Sequence, residues 1–166
     1  MRRATAEDAD AIARIHVETW RVAYAHAFPA EYLAALSGDE RRALWARTLA
    51  AGVNDVFVAE LDGAVAGFAA AGACEDEDGA TRGELYALYV EPSAWGQGLG
   101  RALLGRAEQA LRAAGYGEAS LWVLEDNPRT RRVYEAAGWA PDGGRKPLAE
   151  TGVPTVRYRK RLTSHL

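Results

Sequence analysis

The run Glu91-Pro92-Ser93-Ala94-Trp95-Gly96-Gln97-Gly98-Leu99-Gly100-Arg101 constrains this chain more than any other segment. It follows an apolar stretch, Leu85 to Val90, that reads as a strand, and it opens a helix. Leu99, Leu103, Leu104, Ala107, Leu111 and Ala114 recur at helical spacing, and Gly115 stands where a left-handed residue ends a helix. Three alternating glycines remove Cβ from the strand-to-helix turn, so a ligand can meet the backbone itself. Free N–H groups and the dipole at the head of the helix suit that turn to a phosphate.

Spacing narrows the kind of phosphate ligand. A P-loop requires Gly-Lys-Ser or Gly-Lys-Thr, and neither follows these glycines. A dinucleotide fingerprint, G-x-G-x-x-G, would place its third glycine on Arg101 or on Leu103, so it fails in both registers. Downstream, Leu121 to Leu124 reads as a second buried strand. It leads into Asn127, a good N-cap, then Pro128 at the first helical position and Gly138 at the stop.

The two segments together resemble the cofactor motifs of the GNAT superfamily of N-acetyltransferases. The pyrophosphate motif of that family reads (Gln/Arg)-x-x-Gly-x-(Gly/Ala). Gly98 and Gly100 match its glycines, while Trp95 stands where the family carries Gln or Arg. The second motif, an Asn followed by a helix with Tyr-Glu-x-x-Gly-(Phe/Trp), is matched by Asn127 and by Tyr134-Glu135-Ala136-Ala137-Gly138-Trp139. The resemblance implies acetyl-CoA as cosubstrate, with its pyrophosphate at Trp95, Gly96, Gln97, Gly98, Leu99, Gly100 and Arg101. It further implies Asn127 on the pantetheine arm, Tyr134 near the sulfur, and a backbone donor for the developing oxyanion from Leu88, Tyr89 and Val90.

The fold implied is one α/β domain of the α+β type spanning residues 1–166, a mixed, twisted sheet with helices on both faces. Its strands ending near Val90 and Glu125 run parallel and splay apart, with the helix from Gly98 to Ala114 as the right-handed crossover between them.

The reaction implied is acetyl transfer from acetyl-CoA to a primary amine of a small molecule, by direct attack through a tetrahedral intermediate. A protein or peptide acceptor, or a catalytically silent CoA sensor, are the alternatives. An alkyl amine resembles Lys, with a pKa of about 10.4, so a base must take its proton. Glu84, at the start of the strand leading to the glycine loop, is the candidate for that role and for contact with the acceptor. The alternative base would come from Glu75 to Asp78, a run that reads as a solvated loop able to attract a cationic acceptor. Tyr134, a phenol protonated at neutral pH, suits protonation of the leaving thiolate. Trp20 and Tyr24 are candidates for the acceptor pocket. His16 reads as a partly buried helix residue, and His26 and His165 show no recognisable partner. The resemblance leaves room for a homodimer.

Composition excludes several classes. Twenty basic residues against 23 acidic ones leave a formal charge of −3, without the basic footprint of a nucleic-acid protein. One cysteine, Cys74, permits no intrachain disulfide and no Cys-rich metal site, as expected of a cytoplasmic chain, and no metal is expected. Met1-Arg2-Arg3 runs straight into polar residues rather than a leader, and the longest uncharged apolar run, Gly63 to Cys74, falls far short of the ~20 residues of a membrane span.

The remaining chain alternates helix and strand. Thr5 and Asp8 form a capping-box variant ahead of a stripe through Ala9, Ile12, Ala13, His16, Val17, Trp20 and Tyr24. Pro29 begins a helix through Leu33 and Leu36, and Asp39 a third through Leu44, Trp45 and Leu49. Strands follow at Asp55–Glu60 and Val65–Ala73 around the hairpin signal Asp62-Gly63. Pro141-Asp142-Gly143-Gly144 reads as a turn and Val153–Leu162 as a final strand, while Arg2-Arg3-Ala4 leaves room for only a very short first one.

Overall fold

The loop of alternating glycines joins β4 (Gly83–Val90), through a short 3-10 turn at Pro92–Ala94, to α4 (Leu99–Ala113). The computed structural model describes residues 1–149 and 151–162; His165 lies outside the described residues. Leu103, Leu104, Ala107 and Leu111 of α4 are buried as the stripe requires, and Gly115 closes the helix at φ +96°. The Tyr116 N–H then returns to the Leu111 carbonyl, satisfying an otherwise orphaned helix-end acceptor.

The sheet is built from β1 (Arg2–Arg3), β2 (Asp55–Leu61), β3 (Ala64–Ala73), β4, β5 (Glu118–Leu124), β6 (Ala140–Pro147) and β7 (Pro154–Arg161), in the order β1-β2-β3-β4-β5-β7-β6. Its pairs are antiparallel except β4 with β5, which α4 connects as the crossover. Asp62 and Gly63 both adopt positive φ, the backbone of a two-residue hairpin. One face buries α4 against Phe57, Ala69, Ala71, Leu85 and Leu121. The other buries α1 (Ala9–Ala23) and α3 (Gly38–Ala51), where Ile12, Ile15 and Trp45 meet Val56, Val58 and Phe68. A small third core joins Tyr24, Phe28 and Leu33, the last on α2 (Ala30–Ala34), to Leu124. The chain is therefore one α/β domain with helices on both faces of a mixed sheet.

The parallel pair is short. Gly83, Glu84 and Leu85 register with Ala119, Ser120 and Leu121, and there the pairing stops. Beyond that point β5 stays bonded to β7 along its whole length, while β4 stays with β3 through a register shift opposite Ala70 and Ala71. Each strand keeps its antiparallel partner, and a wedge opens between them.

Three local expectations change. Pro141-Asp142-Gly143-Gly144 is not a turn but a bulge inside β6, whose register with β7 jumps between Pro141 and Arg145. The extra residues are absorbed on an edge strand, with Gly143 at φ +91° and Asp142 accepting from the Gly144 N–H and from Arg157. The third helix begins at Gly38 because Ser37 caps it, accepting from the Glu40 N–H at 3.2 Å. The second helix ends at Ala34, before Leu36. The first strand is two residues, Arg2 and Arg3, paired with Val58 and Phe57.

Candidate functional site

A cleft of about 830 Å³ fills the wedge between β4 and β5. One end of it is the glycine loop. Gly96 and Gly98 both sit at φ +82°, a left-handed backbone that L side chains rarely adopt. The first helical bond of α4 runs from the Ala102 N–H to the Gly98 carbonyl at 3.1 Å, so the N–H groups of Leu99, Gly100 and Arg101 lie ahead of it. Trp95, Gly96, Gly98, Leu99, Gly100 and Arg101 line the cleft. Gln97 does not: held between two left-handed glycines at the loop tip, it is exposed and off the wall. The Trp95 indole N–H donates to the Val90 carbonyl at 2.7 Å, and the Arg129 guanidinium stacks 3.9 Å from the centre of the indole.

Leu88, Tyr89 and Val90 form the β4 wall. The Glu91 N–H pairs with the Ala66 carbonyl on the β3 side at 2.8 Å. Backbone groups alternate between the two edges of a strand, so the N–H groups of Val90 and Leu88 point to the opened edge. The Tyr89 side chain turns instead toward α1, accepting from the Trp20 indole at 3.0 Å and stacking on His16 at 5.3 Å.

Asn127 and Tyr134 stand on the opposite wall, supplied by the end of β5 and by α5 (Pro128–Ala136). The Asn127 Oδ1 accepts from the Thr130 N–H at 3.3 Å and so caps α5, while its Nδ2 is buried without a partner among the described residues. An orphaned buried amide on the cleft wall costs free energy until an acceptor arrives. An extended amide-bearing chain, such as the pantetheine arm, fits that requirement. Tyr134 is buried between Trp139 and Tyr158, and burial pushes its hydroxyl above the ordinary phenol range, so it keeps its proton at neutral pH.

Glu84 is not on the cleft wall. It lies where β4 and β5 are still paired, before the wedge opens. Its carboxylate accepts from the Glu75 N–H and gathers with Cys74 and Asp76 within 4.8 Å, and burial pushes its pKa up. The Glu75–Asp78 run is a loop with Glu75, Glu77 and Asp78 exposed, yet two of its carboxylates are paired. Asp76 takes Arg157 at 3.3 Å, Arg82 at 3.5 Å and the Trp122 indole, and Asp78 takes Arg82 and Arg157. The buried Arg82 also reaches Ser120, so the loop is pinned to the sheet. His26 does have a partner: its Nε2 lies 2.6 Å from the Asp126 carbonyl, bridging the loop after α1 to the loop after β5. His16 is buried, accepts from the Trp45 indole at 3.2 Å and is pushed down to about 4 by burial and then by Arg41.

Trp20 and Tyr24 line the cleft at its α1 end, as the sequence suggests, together with Thr19, Tyr86 and Trp122, which it does not. The Thr19 hydroxyl is buried without a partner among the described residues. The helical stripe through Trp20 points to Thr19 only once α1 is seen to overhang β4. Arg129 carries a fainter signal, a basic run at the head of α5. Among the described residues, no helix is long and apolar enough to cross a membrane.

The family model of the acetyltransferase (GNAT) family matches residues 9–139. The uncharacterized N-acetyltransferase YuaI of Bacillus subtilis is 38% identical over 130 residues, covering 77% of this chain and 73% of that protein. A mycothiol acetyltransferase of Beutenbergia cavernae is 50% identical over 62 residues, 37% of this chain but only 21% of its own length. The PaiA N-acetyltransferase of Thermoplasma acidophilum, solved in complex with coenzyme A, superposes with a TM-score of 0.78 at 19% identity, covering 96% of each chain.

Proposed function

The chain belongs to the acetyltransferase (GNAT) family, and from that premise we propose that it transfers the acetyl group of acetyl-CoA to the primary amine of a small molecule. One observation carries the reading. The wedge presents the free N–H edge of β4 on one wall and the unpartnered Asn127 amide on the other, with the glycine loop at its mouth. These are the donors that an extended chain of amides ending in a pyrophosphate needs along its length. The coenzyme A complex of the Thermoplasma protein, which shares the fold, supports that ligand.

Acetyl-CoA supplies an activated acetyl thioester. The glycine loop and the N–H groups of Leu99, Gly100 and Arg101 hold the pyrophosphate, and Asn127 orients the arm. The N–H groups of Leu88 and Val90 stand ready for carbonyl oxygens, one of them for the oxygen on which charge develops. Tyr134 holds a proton in a buried setting and delivers it to the departing sulfur. The amine loses its own proton to water, and Glu84, behind the closed end of the wedge, is the carboxylate toward which that proton is relayed.

Calorimetry with CoA, followed by an amine panel with acetyl-CoA and mass detection of products, tests this. Sub-millimolar CoA binding and an acetylated amine are expected. CoA binding with every amine returned unmodified overturns the enzymatic reading in favour of a CoA sensor.

A further inference from the structure

The α1 end of the cleft is walled by Thr19, Trp20, Tyr24, Tyr86, Tyr89 and Trp122. Four of the five rings have their polar atoms engaged elsewhere. The Trp20 indole donates to the Tyr89 hydroxyl, the Trp122 indole donates to Asp76, and the Tyr86 hydroxyl donates to the Ala73 carbonyl. What this end offers a guest is therefore ring surface, already held in place by those bonds.

Charge tells the same way. Among the described residues no carboxylate side chain lines this end; the one acidic residue on the cleft wall, Asp126, is 77% exposed at its side chain. Of the acidic groups behind the wall, Glu75 and Glu84 stand off the cleft lining and the aspartates are paired. Asp76 and Asp78 belong to Arg82 and Arg157, and Asp142 to Arg157 and Arg159. At the phosphate end the cleft is lined by Arg101, Arg129 and Arg132, which repel further cations. A guest with a second ammonium group would set it among rings, which offset its lost hydration less than a carboxylate does, and no carboxylate lines the wall at this end to pair it. At this end the Thr19 hydroxyl is buried without a partner among the described residues, whereas the Thr155 hydroxyl donates to the Lys146 carbonyl.

Resting on the acetyltransferase reading, we infer that the acceptor is a monoamine on an aromatic or similarly flat apolar body, and that polyamines and aminoglycosides are poor acceptors. Thr19 anchors the single nitrogen and the rings of Trp20, Tyr24 and Trp122 take the body.

The test compares 2-phenylethylamine, n-hexylamine and spermidine in the full chain, by kcat/KM with acetyl-CoA and by calorimetric binding to the CoA-loaded protein. The arylalkyl amine should exceed spermidine by about 10- to 100-fold in both, the worth of burying one ring. Ala23→Glu, which adds a carboxylate to a half-buried position on the cleft wall, should narrow that ratio. Spermidine matching or beating the arylalkyl amine overturns the inference and leaves the acetyltransferase reading intact, as does an unchanged ratio in an Ala23→Glu protein that binds CoA. If no amine is acetylated, the enzymatic reading fails, and the calorimetric ranking of the same amines still decides the nature of the slot.

Discussion

Gly98 and Gly100 line the same anion site, yet a methyl group would act on them in opposite ways. Gly98 sits at φ +82°, so any side chain strains the loop before it touches a ligand. Gly100 is helical, and an added Cβ would meet only a Val90 methyl at 3.9 Å. Gly100→Ala should therefore stabilise α4 by about 0.5–1 kcal/mol. Its CoA affinity should stay close to wild type, since the family motif admits Ala at this position, whereas Gly98→Val should weaken CoA by about tenfold or more, the scale of one lost charge-assisted bond. Thermal melts on Gly100→Ala and calorimetry on Gly98→Val read the two signs, and unchanged CoA affinity in a folded Gly98→Val protein would remove the pyrophosphate from this turn. Tyr134→Phe separates chemistry from packing. It keeps the ring against Trp139 and Tyr158 and loses only the proton. Turnover should fall about 100- to 10,000-fold while CoA affinity stays at the wild-type value, since that is the usual contribution of a general acid. Near-full activity would make Tyr134 structural.

At the scale of elements, α1 serves both the core and the cleft, and His16 marks the boundary. Its ring is buried against Trp45 and Tyr89 and must stay neutral to accept the indole N–H. The folded value is about 4 against 6.5 ordinarily, so the unfolded chain binds more protons between those limits. Stability is then fully present above about pH 6.5 and is lost as pH falls toward 4, by on the order of 3 kcal/mol from this group. Urea unfolding at pH 7 and pH 5 should show the loss, and His16→Asn should flatten it; an equal slope in both proteins would assign the acid limb to other groups. The loop from Glu75 to Asp78 and the bulge of β6 form a second such unit. Arg157 on β7 joins Asp76 and Asp78 to Asp142, so three elements remote in sequence are fixed by one guanidinium.

For the whole molecule, the wedge exists because β4 and β5 part after Leu85, each kept by its other neighbour. A ligand seated there replaces the missing pairing. At 100 times its dissociation constant, CoA should add about 2.7 kcal/mol of stability. It should also slow amide exchange at Leu88 and Val90 more than in the β6–β7 ladder. Stabilisation without protection of β4 would place the ligand elsewhere. The glycine loop, the helical stripes, the hairpin at Asp62-Gly63, the cap at Asn127 and the stops at Gly115 and Gly138 are all open to reading from the sequence. Each depends on residues a few positions apart, through φ, a near hydrogen bond or a periodic face. Tertiary structure alone decided which carboxylates reach the cleft. Glu84 stands off the cleft wall, where β4 and β5 are still paired, and Asp76 and Asp78 are claimed by Arg157, about 80 residues on. A charge belongs to whichever partner the fold brings within reach, and no local pattern encodes that.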